Sequence, residues 1–271
     1  MIRDITIGQY YPVDSVIHRL DPRTKLAGTV IFLISLFVTS SPAGYVLATL
    51  VLAGVIKLSR VPFKFMTRGL RAILIVLLLS VSFNIFLTAG TPIFKIGFLK
   101  VTKEGLLLAG FMGLRLVYLV IGSSLMTLTT TPTQLTDGLE KSLRFLNRVG
   151  VPVHDIAMMM SIALRFIPIL VEETDKIMKA QTARGADFDS GNLIQRAKAM
   201  VPLLVPLFVS AFRRAGDLAL AMEARGYRGG DNRTRMKPLH YASRDFAGYA
   251  VLIILVGAAI TLRILEIPLP V

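Results

Sequence analysis

Uncharged stretches dominate both ends of the chain and are separated by short polar segments. Residues 26–56 contain no charged side chain. As one helix they would extend over about 46 Å, whereas the hydrocarbon core of a bilayer is about 30 Å thick. The segment Thr39–Gly44 in the middle, which includes Pro42, has the composition of a turn. The pattern therefore predicts two short helices, about 23–40 and 42–58, with a single long helix as the alternative.

Three further stretches have the length and apolarity of membrane spans. They lie at about 72–88, 105–130 and 246–262. Hydrophobic residues make up 54% of the chain and charged residues only 18%, against about 25% charged residues in soluble domains. The sequence therefore predicts an all-α polytopic membrane protein with about five transmembrane helices.

The segment between the fourth and fifth predicted spans carries much of the charge. It predicts three further helices, the first opening at Thr131-Pro132 and ended by Asn147 to Pro152, and the others at about 152–183 and 192–224. The second and third each have an apolar half followed by a charged half. Because their uncharged runs are too short to cross a bilayer alone, we expect cytoplasmic or interfacial helices, with a re-entrant arrangement as the alternative.

These elements predict three parts along the chain. Residues 1–130 form an N-terminal membrane part with four spans, 131–240 form the helical insert, and 241–271 contain the last span. Prolines inside the second and third insert helices predict bends, because an interior proline removes one backbone hydrogen bond. These prolines are Pro168, Pro202 and Pro206.

The distribution of Lys and Arg predicts the orientation in the membrane. Nine of these residues flank the predicted spans on one side: Arg3, Arg19, Arg23, Lys25, Lys57, Arg60, Lys64, Arg68 and Arg71. Four flank them on the other side: Lys95, Lys100, Lys103 and Arg263. Because Lys and Arg accumulate in cytoplasmic loops, we expect the N-terminus and the insert inside the cell and the C-terminus outside.

Several kinds of chemistry are disfavoured by the composition. The chain has no Cys and three widely spaced His, so neither a metal site nor a bound cofactor is expected. The predicted spans contain no acidic residue, which argues against an intramembrane enzyme. A net charge of +14 could indicate nucleic-acid or anionic-lipid binding through Arg233, Arg235 and Lys237. That short run is more simply the cytoplasmic flank of the last span, and no nucleic-acid partner is expected.

The second and third insert helices end with the same tripeptide. Ala183-Arg184-Gly185 closes the first of them and Ala224-Arg225-Gly226 closes the other, 41 residues later. A single Arg-Gly ending is explained by helix capping, since Gly adopts a left-handed conformation readily and Arg suits the negative end of the helix dipole. Two matched endings suggest a partner with two equivalent sockets, because a guanidinium can bind a carboxylate through two hydrogen bonds.

The chain resembles the transmembrane T components, EcfT, of energy-coupling factor (ECF) transporters. The resemblance rests on the two tripeptides and on three stretches in the same order: residues 15–25, residues 164–172 continuing to 185, and residues 206–227. It implies a multi-pass scaffold in a prokaryotic cell membrane that takes part in vitamin or trace-metal uptake. The scaffold would join two cytoplasmic ABC-type ATPases to a membrane S component that binds the solute, with several exchangeable S components in some systems. The alternative is a T component dedicated to a single solute such as cobalt or biotin.

The resemblance also implies roles for the insert. Its three helices would be coupling helices, and Arg184 and Arg225 would each dock one ATPase. The chain itself would not be an enzyme, and it contains no Gly-Lys dipeptide from which to build a phosphate-binding loop. Movement of the ATPases would displace the two arginine ends relative to each other. This interpretation requires the two guanidinium groups to be exposed and not far apart.

Other residues have two interpretations each. Met158, Met159 and Met160 predict an adaptable S-component surface, although methionines also fill ordinary cores. Arg115 lies inside the fourth span, where a charge is either functional or paired with a neighbouring helix. Asp21 is expected to cap the first span, with a contact to the insert helices as the alternative.

Overall fold

The computed structural model describes residues 9–39, 41–89, 91–96, 99–188, 192–229, 236 and 238–265. Among them are eight α-helices: α1 (Pro22–Val38), α2 (Pro42–Ser59), α3 (Phe63–Leu87), α4 (Lys103–Thr129), α5 (Pro132–Ser142), α6 (Val153–Ala183), α7 (Leu193–Ala224) and α8 (Ser243–Leu265). The all-α architecture predicted from the sequence is confirmed. One short hairpin of β1 (Pro92–Ile96) and β2 (Leu99–Thr102) joins α3 to α4 and was not predicted.

The chain forms two compact units. Of the described residues, those within 9–141 and 239–265 form the larger unit, and those within 142–238 form the smaller unit. Helix α5, which the sequence assigns to the insert, therefore belongs to the larger unit. Its Gly138 lies against Pro22 so closely that an added Cβ would be 3.0 Å from the proline Cβ. Only a glycine permits this approach of α5 to the start of α1.

The core of the larger unit lies between α1, α2, α4 and α8. Leu36 of α1, Ala48 of α2, Leu128 of α4 and Leu255 of α8 are all buried there. Most other apolar side chains of these helices face outward, and this is the distribution expected of a protein whose outer surface contacts lipid.

A buried polar cluster fixes the beginning of α1. Asp21 accepts a hydrogen bond from the Arg23 backbone N–H at 2.9 Å and pairs with the Arg23 guanidinium at 3.0 Å. Asp245 at the start of α8 accepts from the Asp21 N–H at 2.8 Å. Lys25 donates to the carbonyl of Thr129 at 2.8 Å. The predicted cap at Asp21 is confirmed. The cluster joins the N-terminal ends of α1 and α8 to the C-terminal end of α4.

Among the described residues, five helices or helix segments are long and apolar enough to cross a membrane: α2, α4, α6, residues Lys198–Ala224 of α7, and α8. A sixth candidate is α3, whose segments Phe63–Arg71 and Ile73–Leu87 meet at 65°. Helix α1 follows its predicted bounds closely but has only 17 residues. The uncharged runs of α6 and α7 are too short to cross a bilayer alone, but the helices as wholes are long and apolar enough.

Two predicted boundaries need correction. Helix α3 begins at Phe63, whereas the pattern placed its start near residue 72, because the preceding charged residues were assigned to a loop. Helix α5 ends at Ser142, and the following residues form a 3-10 turn, Arg144–Val149, that closes at Gly150 with φ 86°. The bounds of α6 and α7 match the prediction to within one residue.

Candidate partner-docking helix ends

Helices α6 and α7 pack against each other in antiparallel directions. About two-thirds of the way along each helix, Arg214 Nη2 lies 3.1 Å from Glu173 Oε2. Tyr227, just beyond the end of α7, donates its hydroxyl to Met158 Sδ near the start of α6 at 3.0 Å. From Met158 to Glu173 the chain advances along α6, whereas the corresponding partners go backward from Tyr227 to Arg214. The two helices therefore run in opposite directions.

An apolar groove lies along this pair. It is lined from α6 by Ile162, Phe166 and Leu170 and from α7 by Ala211, Ala215, Leu218, Ala219 and Met222, with Arg214 among them. Three of the lining residues on α7 are alanines, whereas those on α6 are large. The sequence pattern did not predict the Glu173–Arg214 pair, although the opposite charges of the two helices were visible in it.

The Glu173–Arg214 contact joins positions with the same sequence offset as the two arginine ends. Glu173 and Arg214 are 41 residues apart, as are Arg184 and Arg225. Arg184 and Arg225 therefore each lie 11 residues beyond this contact along their own helices.

The end of α6 is a regular helix cap. Arg184 has φ −89° and ψ 6°, and Gly185 follows at φ 90°. The Gly185 N–H donates to the Thr182 carbonyl at 2.9 Å, and the Ala186 N–H donates to the Gln181 carbonyl at 3.0 Å. These two bonds satisfy carbonyls that the last helical turn would otherwise leave open. The Arg184 side chain remains exposed.

The end of α7 repeats this geometry. Arg225 has φ −88° and ψ 6°, and Gly226 follows at φ 68°. The Gly226 N–H donates to the Glu223 carbonyl at 2.8 Å, and the Tyr227 N–H donates to the Met222 carbonyl at 3.0 Å. Arg225 is likewise exposed. Both tripeptides, including Ala183 and Ala224 as the last helical residues, therefore present one exposed arginine on the same backbone cap.

The two arginines lie at opposite ends of the helix pair. Each is 11 residues beyond the Glu173–Arg214 contact, in opposite directions, so 22 residues of helix separate them, about 33 Å at 1.5 Å per residue. The expectation that the guanidinium groups are not far apart is therefore wrong. The antiparallel course of α6 and α7 is the reason, since it sends their C-terminal ends apart.

The three consecutive methionines of α6 have different environments. Met158 is half-buried and accepts the hydrogen bond of Tyr227, so it belongs to the α6–α7 contact. Met159 and Met160 are 57% and 42% exposed. The predicted adaptable surface is therefore confined to two of the three residues.

The intramembrane Arg115 has protein partners. Its Nε donates to Tyr45 Oη at 3.0 Å, and its Nη2 donates to the Thr39 carbonyl at 3.2 Å. It therefore caps the C-terminal end of α1. Pro168, Pro202 and Pro206 all lie inside continuous helices. Arg233, Arg235 and Lys237 lie outside the described residues. Within the described part of the chain, no group of three or more His, Asp or Glu side chains is placed to hold a metal ion.

Comparison with known proteins identifies the family. A family model described as cobalt transport protein, CbiQ, matches residues 14–236. The energy-coupling factor transporter transmembrane protein EcfT of Clostridium kluyveri is 56% identical over 97% of this chain and 98% of its own length. The chain belongs to the EcfT family. The proteins of the same name from Thermosediminibacter oceani and Bacillus subtilis are 57% and 50% identical to this EcfT chain over 92% and 97% of its length, and over 94% and 100% of their own.

Membership in the EcfT family confirms the resemblance inferred from the two Ala-Arg-Gly endings and makes this chain a transmembrane component of an ECF transporter. Together with its long apolar helices, it establishes a multi-pass membrane protein of transport rather than a soluble protein.

Proposed function

We propose that this chain is a non-catalytic scaffold that couples ATP hydrolysis by two cytoplasmic ATPases to solute release from a membrane S component. In this proposal Arg184 and Arg225 each dock one ATPase. The observation that carries it is the pair of exposed arginines on matching helix caps at opposite ends of the antiparallel α6–α7 pair.

The proposal does not need the two guanidinium groups to be close together, as the interpretation of the sequence assumed. Their separation instead favours two docking partners rather than one. Two ends about 33 Å apart cannot share a single side-chain socket. A pair of similar ATPase subunits related by a two-fold axis presents two equivalent sites, one for each cap. Because the two caps have the same backbone geometry, both arginines can enter equivalent environments.

The chemistry of each site follows from the arginine. A guanidinium forms two parallel hydrogen bonds with a carboxylate, stronger and more directional than a lysine contact. The left-handed glycine ends the helix at once, so the arginine lies at its tip. We therefore expect each ATPase groove to contain an Asp or Glu facing Arg184 or Arg225.

The helix pair can transmit movement because its members are joined. When the two ATPases approach each other, the ends of α6 and α7 are displaced toward each other. The Glu173–Arg214 contact lies between the two ends and acts as the point about which the helices rotate. The apolar halves beyond that contact then change their position against the S component, which alters its hold on the solute.

Charge reversal at the caps tests the docking proposal. Arg184→Glu and Arg225→Glu should each reduce copurification of the ATPases at least tenfold, and the double variant should abolish solute uptake. The physical reason is the replacement of a charge-assisted hydrogen bond by repulsion between two carboxylates. Affinity purification from membranes followed by an uptake assay measures both effects.

Arg228→Glu is the matched control. It makes the same charge change on an exposed side chain three residues beyond Arg225, and it should leave copurification unchanged. Normal transport in the Arg184→Glu/Arg225→Glu double variant would disprove the docking role, whereas equal losses in Arg228→Glu would show a general charge effect.

The exposed methionines Met159 and Met160 are proposed to contact the S component. Flexible thioether side chains adapt to different partner surfaces, as a scaffold shared among several S components requires. Replacing both by Ser should weaken S-component capture and leave ATPase copurification intact. Met158→Ser should instead loosen the α6–α7 contact, since Met158 accepts the Tyr227 hydroxyl. Unchanged S-component capture in the Met159→Ser/Met160→Ser variant would contradict the proposal.

The solute in this proposal is a vitamin or a trace metal. One observation favours the alternative of a T component dedicated to a single solute. The matching family model carries the description cobalt transport protein, whereas the EcfT relatives carry no solute in their names. Mass spectrometry of the subunits that copurify with the chain decides between these alternatives. Several different S components indicate a shared scaffold, and a single one indicates a dedicated transporter for a solute such as cobalt or biotin.

A further inference from the structure

The helices of the larger unit differ in length. Helices α1 and α2 contain 17 and 18 residues, about 26 and 27 Å of helix, and α4 contains 27 residues, about 40 Å. The hydrocarbon core of a typical bilayer is about 30 Å thick. The α1–α2 side is therefore shorter than the membrane around it.

Arg115 of α4 lies at the level where the short helices end. The side chain bonds the Thr39 carbonyl, at the C-terminal end of α1, at 3.2 Å. At the opposite end of α1, Lys25 bonds the Thr129 carbonyl at 2.8 Å. The 14 residues from Arg115 to Thr129 cover about 21 Å, and the arginine side chain extends further toward the N-terminus of α4. Arg115 is thus level with the α1–α2 turn, although α4 continues past it for 12 residues.

A second arginine marks the same level on another helix. Helices α8 and α1 run in parallel, and their contacting residues differ in number by a constant amount. Leu252 Cδ1 lies 3.4 Å from a Cβ built on Gly28, and Thr24 Cγ2 lies 3.5 Å from one built on Gly248. Both pairs are 224 residues apart, and the same offset sets Arg263 opposite Thr39. Arg263 is exposed. Both α4 and α8 therefore carry an arginine at the level of the C-terminal end of α1.

The guanidinium of Arg115 has capacity for a further ligand. Tyr45 Oη, the Thr39 carbonyl and a weak contact to Met112 Sδ take three of its five N–H groups. Within the described ranges no carboxylate pairs with it. Its carbon centre lies 5.6 Å from the ring of Phe37, which is 62% exposed. The charge therefore lies beside the outer surface of the unit.

We propose that Arg115 binds the phosphate of a phospholipid headgroup in the leaflet next to the α1–α2 turn. An arginine surrounded by hydrocarbon is unfavourable by several kcal/mol, and local thinning of the bilayer removes that penalty. The short helices α1 and α2 favour the same thinning. The headgroup phosphate accepts hydrogen bonds from the remaining N–H groups in the fork geometry typical of arginine.

Native mass spectrometry of the full-length chain tests the site. The chain is incubated with dioleoylphosphatidylglycerol or with dioleoylglycerol, which has the same acyl chains and no phosphate. We expect the phospholipid to be retained and Arg115→Gln to lower its affinity at least tenfold. Lys57→Gln, which removes an exposed cation near the other end of α2, is the control and should leave retention unchanged.

Each alternative gives a different result. Equal retention of dioleoylglycerol would show a purely apolar acyl-chain contact, and equal retention by Arg115→Gln would place the lipid elsewhere; both would overturn the proposal. Displacement of the phospholipid by excess inorganic phosphate would identify a soluble-anion site and overturn the lipid assignment. Tyr45→Phe removes one bond to Arg115 but keeps its charge, and should still retain the phospholipid.

A depth measurement keeps the proposal testable if Arg115→Gln does not fold. The chain contains no Trp, so Phe37→Trp introduces a single fluorescent reporter beside Arg115. In vesicles containing lipids brominated at defined depths, we expect the strongest quenching from bromines closest to the headgroup. Strongest quenching from bromines at the bilayer centre would show that no headgroup reaches this level and would overturn the proposal.

Discussion

At the scale of single residues, two glycines define the ends of α6 and α7. Gly185 and Gly226 adopt φ of 90° and 68°, a region in which other residues are strained. Nothing lies within 4 Å of a Cβ built on either of them, so the backbone conformation alone selects glycine. The tripeptide therefore combines an exposed arginine with a residue that stops the helix immediately after it.

Gly185→Ala is predicted to loosen the end of α6. The cost of a left-handed alanine is about 1 kcal/mol, and it should accelerate amide exchange in the last turn of α6 about fivefold. Hydrogen–deuterium exchange of the peptide covering that turn measures the effect.

Gly216→Ala provides the control for this substitution. Gly216 lies inside α7 with open space around it, and alanine should stabilise that helix by up to about 1 kcal/mol. Unchanged protection in Gly185→Ala would mean that the cap tolerates alanine and that glycine has another role there.

At the scale of elements, the antiparallel α6–α7 pair determines where the docking candidates lie. Each helix contributes one arginine, and the Glu173–Arg214 contact joins positions with the same sequence offset as these arginines. Pro168 lies five residues before Glu173 and interrupts the hydrogen bonds of α6 without ending the helix. Movement of the α6 tip relative to its apolar half is therefore easiest at Pro168.

Pro168→Ala is predicted to separate docking from transport. Alanine restores the missing backbone bond and stiffens α6, so ATPase copurification should be unchanged while solute uptake falls several-fold. Pro132→Ala is the control, because Pro132 is the first residue of α5, where proline is compatible with a helix. Normal uptake in Pro168→Ala would exclude a bend at this residue as part of the mechanism.

At the scale of the whole molecule, charge distribution and membrane orientation belong together. The excess of Lys and Arg on one side of the predicted spans favours an N-terminus and docking arginines inside the cell and a C-terminus outside. The proposed function requires this orientation, since the ATPases are cytoplasmic.

The absence of cysteine permits a direct test of this orientation. Lys57→Cys near the end of α2 should react with a membrane-impermeant maleimide only after permeabilisation. Lys103→Cys at the start of α4 should react in intact cells. Both positions are exposed, so differences in labelling report the side of the membrane. The reverse labelling pattern would show the inverted topology and would contradict docking of cytoplasmic ATPases.

Local sequence was sufficient where local physics decides the structure. Pro42 and Pro132 mark helix starts, Gly185 and Gly226 mark helix ends, and uncharged runs of fixed length mark the apolar helices, so most helix bounds followed from the pattern. The start of α3 was missed because Lys64, Arg68 and Arg71 are compatible with either a loop or the first turns of a helix. The 3-10 turn after α5 was missed because its residues also fit an α-helix.

The sequence by itself determined an all-helical membrane protein, the two arginine caps and the family resemblance, because these depend on hydrophobicity, capping chemistry and short motifs. Only the tertiary structure decided that α6 and α7 run antiparallel, with their arginines about 33 Å apart. It also decided that Met158 is committed to helix packing and that Arg115 is level with the α1–α2 turn. These properties arise from pairings between residues distant in the chain, such as Glu173 with Arg214 and Arg115 with Thr39, which no local pattern encodes.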